Sequence, residues 1–153
     1  MQQAKLAISL LTLIPALVLV VPASAQDTAQ QTYEPVGQVE ISKTEMGFIV
    51  SVGGGHGVLK FEGHEYPFRV GGLGIGGTGV HSVNVTGDVY NLKNASDFEG
   101  RYGEVRKGVT LTGAHRGARQ LENPRTGVIM TLRGTAEGIR LNTGAGGLRV
   151  SLE

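Results

Sequence analysis

The side chains in this sequence that could do chemistry are four histidines and the carboxylates near them. The histidines are His56, His64, His81 and His115. No two of them show the His-x-His or His-x-x-x-His spacing that is typical of zinc sites. His56 and His64 flank one proposed hairpin and could meet across it, with Glu65 nearby. This arrangement would suit a metal-dependent or hydrolytic enzyme, whereas the simpler interpretation is a set of turn and surface histidines.

No other grouping of residues matches a common catalytic arrangement. No serine lies in the Gly-x-Ser-x-Gly pattern of a nucleophile elbow. Paired carboxylates such as Glu62 and Glu65 fall in polar turns, where they are typically solvated. The chain has no cysteine, which excludes thiol catalysis, thiolate-bound zinc and iron–sulfur clusters. We therefore expect a protein without enzymatic activity, cofactor or metal.

The glycine-rich stretch between residues 51 and 80 contains a pattern close to a phosphate-binding loop. Gly72, Gly74 and Gly77 match G-x-G-x-x-G, but that fingerprint needs a helix directly after it. Residues 78–86 alternate like a strand, so we do not expect a nucleotide site. Dense glycine also lets a strand bend and lets a ligand or a second backbone approach closely. The residues predicted to lie nearest a ligand are Gly72, Leu73, Gly74, Ile75, Gly76 and Gly77.

The first 25 residues have the pattern of a cleaved signal peptide. Lys5 supplies the positive n-region, residues 6–21 are apolar, and Pro22-Ala-Ser-Ala25 ends in a small-x-small cleavage site. A transmembrane helix is the alternative, but Pro15 interrupts the run and no basic flank follows it. We predict export to the periplasm with no membrane-spanning segment left after cleavage. A flexible leader at 26–35 and a single β-domain at 36–153 would follow.

The charge balance argues against nucleic acid as a partner. Removal of Lys5 leaves 13 basic residues against 13 acidic ones, and a nucleic-acid-binding domain usually carries a basic excess. From residue 101 onward, however, nine basic residues face four acidic ones, an excess of five. This half could present a basic face to an anionic lipid headgroup or glycan. Alternatively, these are ordinary outward-facing residues of alternating strands.

Alternating segments dominate the chain after residue 35. Val39 with Ile41, and Val83 with Val85, show the two-residue period of strands. Their spacing and the turn signals between them predict an all-β fold, a small antiparallel barrel or sandwich of short, glycine-kinked strands. Gly63-His64 predicts the turn of a hairpin over 57–70, in which Pro67 favours an edge or bulged strand. At most one short helix is expected, near residues 94–100.

The alternative to an exported soluble domain is a β-barrel that spans the outer membrane. Such barrels use lipid-facing strands of about 9–11 residues with aromatic girdles. The segments here mostly span about five to seven residues before a turn signal, and aromatic residues make up 5% of the chain. Both features disfavour that alternative.

The order of motifs resembles the β-rich half of SYLF-domain lipid-binding proteins. The resemblance rests on the glycines of 72–77, on Asp88-Val-Tyr-Asn-Leu92, on Asp97-Phe98, and on a glycine-rich return between Tyr102 and Gly113. The chain is similar, too, to small bacterial periplasmic β-barrels linked to envelope integrity. It departs from the SYLF family by lacking a helical N-terminal part. The resemblance implies a compact exported β-domain that binds lipid or another envelope component, and it identifies no site residue.

Overall fold

The computed structural model describes residues 30–44, 52–76, 82–135, 140–143 and 146–153. The predicted signal peptide, Gly77 and His81 lie outside the described residues.

Strands account for most of the described residues, and one short 3-10 turn interrupts them. In chain order the strands are β1 (Gln31–Tyr33), β2 (Pro35–Thr44), β3 (Val52–Phe61), β4 (His64–Gly76), β5 (Ser82–Tyr90), β6 (Gly100–Glu104), β7 (Val109–Leu111), β8 (Arg119–Glu122), β9 (Ile129–Gly134), β10 (Arg140–Thr143) and β11 (Leu148–Leu152). The 3-10 turn is Ala95–Phe98, which confirms the prediction of at most one short helix near residues 94–100.

Eight strands close into an antiparallel barrel. Their order around it is β3-β4-β11-β6-β8-β9-β5-β2, and β2 pairs with β3 to complete the ring. After the β2-β3-β4 meander, strand β5 returns to pair with β2. The spatial order β5-β2-β3-β4 is therefore that of a Greek key. The predicted all-β class is confirmed, and closure through the β3–β4 pairing makes it a barrel.

Side chains at every second strand position fill the barrel. In β2, Val39 and Ile41 are buried, as are Val85 and Val89 in β5. The described core contains residues from all eight barrel strands: Val39, Ile41, Leu59, Phe61, Phe68, Val70, Leu73, Val85, Val89, Leu92, Phe98, Tyr102, Leu121, Val128, Met130, Leu132, Leu148 and Val150. An eight-stranded barrel is just wide enough for side chains to occupy its interior.

The 3-10 turn closes one end of the barrel, which we name the turn end. Phe98 is fully buried there and packs edge-on against Phe68, with ring centroids 5.1 Å apart. The Tyr102 hydroxyl donates a 2.7 Å hydrogen bond to the carbonyl of Phe98. The turn is therefore held to the barrel by an aromatic contact and by a buried hydrogen bond.

The β3–β4 hairpin is confirmed, with its turn one residue earlier than predicted. Glu62 and Gly63 form the turn, and His64 already pairs with Phe61. Glu62 has φ 50° and Gly63 φ 77°, the positive values that a type I′ turn requires at both central residues. This turn type matches the twist of the flanking strands, so it fixes the loop at residues 62 and 63.

Strand β4 is longer than predicted and is not an edge strand, but it carries a bulge, because Gly71 and Gly72 lie opposite the single residue Gly54 of β3. Strand β4 spans 13 residues and has neighbours on both sides, β3 on one and β11 and β10 on the other. Pro67 is tolerated inside it because its carbonyl accepts a 2.9 Å hydrogen bond from the Glu153 N–H. A residue's N–H and C=O point to the same edge of an antiparallel strand. The backbone nitrogen of Pro67 thus lies on the edge of β4 that faces Glu153. Its lack of an N–H therefore removes no hydrogen bond between β4 and β3.

The predicted flexible leader is wrong for its last residues. Gln31–Tyr33 forms β1 and pairs in parallel with β7. The pairing is supported by backbone hydrogen bonds of 3.0 Å from Gln31 to Gly108 and from Thr112 to Tyr33. A polar segment with no apolar period gives no sequence signal for such a pairing, because the hydrogen-bonding partner lies far along the chain.

Candidate functional site

The two histidines of the proposed enzyme site do not meet. His56 lies opposite Arg69, whereas His64 lies opposite Phe61 at the turn. The five-residue offset along β3 corresponds to about 17 Å at the usual strand rise. His56 Nε2 is 3.9 Å from Glu153 Oε1, and His64 Nδ1 is 3.0 Å from the Glu62 carbonyl oxygen. The expectation that they meet across the hairpin is therefore wrong. The structure does not bring His56 next to His64 and Glu65, as the enzyme hypothesis requires.

The remaining acidic and histidine side chains form no metal centre in the part of the chain that the structure describes. No group of three or more His, Cys, Asp or Glu side chains is arranged to hold a metal ion there. His115 is an exposed residue of the segment between β7 and β8.

The glycines proposed to lie near a ligand contact the protein's own backbone. Leu73–Gly76 pairs with β10. Gly72 has φ 80°, and a Cβ added to it would collide with the Gly147 carbonyl oxygen. Leu73 is 1% exposed and belongs to the core. Ile75 and Gly76 take part in the pairing through their backbones. The close approach that dense glycine permits is thus made by neighbouring strands at the described positions.

A first cleft of about 450 Å³ lies on the outer surface beside the β3–β4 turn. Its lining includes His64 and Glu65 together with Lys60 and Asp88. Lys60 is already engaged, because its Nζ is 3.1 Å from Glu40 Oε1. The lining holds three carboxylates, those of Glu62, Glu65 and Asp88, against the single cation of Lys60, so this cleft does not favour an anionic ligand.

A second cleft, of about 550 Å³, lies at the end of the barrel opposite the turn end, and we name it the arginine cleft. It is lined by Arg116, Gly117, Ala118, Arg119, Arg133, Gly134 and Leu141. Three of these seven residues are arginines, and none is acidic. The sequence places all three arginines in the basic half of the chain. Their clustering arises only because β8 begins where β9 ends.

A like-charge pair lies on the outer face of the barrel. Arg101 on β6 lies directly opposite Arg149 on β11, and both are exposed. Among the described residues neither makes an ion pair. Like charges directly opposite each other on neighbouring strands are destabilising, so this pair lowers the stability of the β6–β11 pairing.

Buried ionisable groups elsewhere serve the structure. Burial raises the pKa of Tyr102 far above its ordinary range, although a hydrogen bond with Asn123 opposes the shift. The pKa of Tyr90 is raised, first by burial and then by the charges of Asp88 and Glu34. The Tyr90 hydroxyl donates a 3.0 Å hydrogen bond to the Thr112 carbonyl. Neither tyrosine lines one of the two clefts.

Comparison with known proteins gives one structural similarity. No protein-family model and no curated protein matches the sequence. A solved structure described as a beta-barrel-like, uncharacterized protein from Brucella abortus is similar, with a TM-score of 0.47 and 20% identity over 78% of this chain and 73% of that chain. The small β-barrel expected from the sequence is confirmed by the strand pairing itself. Within the described residues, no helix has the length and apolar character needed to cross a membrane.

Proposed function

We propose that this protein is a non-enzymatic module of the cell envelope, exported to the periplasm, that binds lipid or another envelope component on its outer surface. The observation that carries the proposal is the filled interior. Core side chains from all eight barrel strands occupy it, so the protein's own side chains take the place that an internal acyl chain would need. A ligand would then contact the outside of the barrel or its rim.

The outer surface offers a feature that suits an anionic partner. The opposed, exposed Arg101 and Arg149 carry a repulsion that an anionic headgroup would relieve. A basic residue near an anionic membrane surface contributes about 1 kcal/mol of attraction. The signal-peptide pattern of residues 1–25 and the resemblance to the β-rich half of SYLF-domain proteins support lipid as the first class of ligand to test.

Vesicle binding and native mass spectrometry test this proposal together. The mature protein is expected to co-sediment with vesicles containing anionic phospholipid more strongly than with zwitterionic vesicles. It is also expected to retain lipid in native mass spectra when it is purified from cells. Absence of both would refute the lipid form of the proposal.

A pair of double variants separates a specific face from net charge. Arg101→Gln with Arg149→Gln should weaken binding to anionic vesicles about tenfold or more. Lys93→Gln with Lys107→Gln removes the same charge from two other exposed positions and should leave binding nearly unchanged. Equal losses from both would show that the face formed by Arg101 and Arg149 has no special role.

A further inference from the structure

We propose that the arginine cleft binds the phosphate group of a small anionic ligand. This inference goes beyond the envelope-binding function, because it concerns a concave site at the end of the barrel and not the face formed by Arg101 and Arg149. It stands or falls independently of vesicle binding.

The fold brings the three arginines of the cleft together. Arg119 is the first residue of β8 and pairs with Leu132 of β9. Arg133 follows Leu132 directly, and Arg116 lies in the turn that leads into β8. All three line one cleft with the backbone of Gly117 and Gly134. Three arginines from two strands and a turn thus line a common space.

The described residues neutralise little of the positive charge of the cleft. Arg116 and Arg133 are exposed and form no ion pair with any described residue. Arg119 Nη2 is 3.9 Å from Oε1 of Glu104, whose side chain is 89% exposed. An exposed pair at that distance contributes little, so the described lining of the cleft keeps a net positive charge. A bound dianion would relieve the repulsion among the three cations.

The chemistry of the lining favours phosphate. Guanidinium groups present planar pairs of N–H donors that match the oxygens of a phosphate bidentately. The volume of about 550 Å³ lies in the range of small-molecule sites, about 300–1,000 Å³, and leaves room for a group attached to the phosphate. Half-buried Leu141 provides an apolar wall for such a group. Free phosphate and a phosphate monoester, as in a headgroup, share this chemistry.

An NMR titration of the full mature protein tests the site. Inorganic phosphate is added first, glycerol phosphate second and uncharged glycerol as a control, all at about 0.15 M salt, where surface charges are screened beyond about 8 Å. Saturable amide shifts are expected at Gly117, Ala118 and Gly134 with both phosphates and not with glycerol. Tighter binding of glycerol phosphate would indicate that the natural ligand is a phosphate monoester. Equal or tighter binding of inorganic phosphate would indicate that it is the free ion.

Variants expected either to weaken or to strengthen phosphate binding make the test more specific. Arg116→Gln and Arg133→Gln should each weaken phosphate binding about tenfold, as expected for loss of a charged hydrogen bond. Glu104→Gln should strengthen it about twofold by releasing Arg119. Arg149→Gln, which removes an exposed arginine outside the cleft, should leave it unchanged. Absence of saturable shifts in the millimolar range, or an equal loss with Arg149→Gln, would overturn the proposal.

Discussion

Arg106 donates a 2.5 Å hydrogen bond from Nη1 to Oε1 of Glu122, whose side chain is only 5% exposed. The other carboxylate oxygen accepts the Arg106 backbone N–H at 3.1 Å. Arg106 Nη2 also donates to Gln31 Oε1 at 2.8 Å and lies 3.3 Å from the Tyr33 hydroxyl. One arginine therefore compensates the buried charge of β8 and links β8 to β1.

Replacement of Arg106 by Gln should lower the free energy of unfolding by about 2 kcal/mol. The physical reason is that a buried carboxylate loses its charged donor, and hydrogen bonds to charged groups contribute about 1.5–3 kcal/mol. Urea denaturation of both proteins measures the difference.

The control for this change is Lys107→Gln, an exposed cation next along the chain, which should shift stability by less than about 0.5 kcal/mol. Glu122→Gln added to Arg106→Gln should recover part of the loss, because it removes the unpaired charge. Equal effects of Arg106→Gln and Lys107→Gln would show that the contact does not stabilise the fold.

Gly57→Ala should be strongly destabilising. A Cβ at Gly57 would lie 2.5 Å from Cζ of Phe68, its partner across β3 and β4, and 2.7 Å from the Glu40 carbonyl oxygen. Overpacking of this kind costs about 1–3 kcal/mol. Gly103→Ala in β6 is the matched control, since nothing lies within 4 Å of its added Cβ. Thermal melts in which the two variants lose equal stability would contradict this interpretation of the Gly57–Phe68 contact.

Glu62→Asn should stabilise the protein. Glu62 has φ 50°, a conformation that costs an ordinary side chain about 1 kcal/mol or more, and Asn-Gly is the preferred sequence of a type I′ turn. We expect a gain of about 0.5–1 kcal/mol, measured as a raised urea midpoint at constant m. Glu65→Asn, at a strand position opposite Lys60, should give no gain. A midpoint that does not rise in Glu62→Asn would contradict the turn assignment.

Ionisation of Tyr102 in the unfolded chain should lower the stability of the protein at alkaline pH. The pKa of Tyr102 is raised in the folded state by burial, so the unfolded chain releases this proton first, near the ordinary value of about 10. The stabilising contribution is therefore complete below that pH and is lost as the pH rises toward the folded-state pKa.

Relative to Tyr102→Phe, the natural protein should lose about 1.4 kcal/mol of stability per pH unit above about pH 10. At neutral pH the variant should be less stable by about 1 kcal/mol, because the hydrogen bond to the Phe98 carbonyl is lost. Urea denaturation at a series of pH values gives both quantities. Parallel pH dependences of the two proteins would show that the Tyr102 hydroxyl does not titrate differently on unfolding.

Local patterns predicted the strands well, because burial of one face imposes a two-residue period that is visible in the chain. Val39, Ile41 and Val85 lie in the core as that period requires. The β3–β4 turn was misplaced by one residue, since Glu62 takes a positive φ that its side chain disfavours. Strand lengths were underestimated because glycines such as Gly57 and Gly87 lie inside strands without ending them.

The candidate sites could not be predicted from the chain, because they depend on contacts between distant residues. Arg101 and Arg149 are 48 positions apart, yet the β6–β11 register places them opposite each other. In the same way, the start of β8 and the end of β9 bring Arg116, Arg119 and Arg133 to one cleft. The separation of His56 on β3 from His64 on β4, by contrast, follows from the local pairing of their hairpin.

The sequence by itself determined the all-β class, the hairpin and the short helical turn, since each follows from local periodicity or turn chemistry. Tertiary structure alone decided that the sheet closes into a barrel, because closure depends on β3 pairing with both β2 and β4. It also decided that Gln31–Tyr33 pairs with β7. The positions of the exposed arginines relative to one another depend on two other pairings, β6 with β11 and β8 with β9.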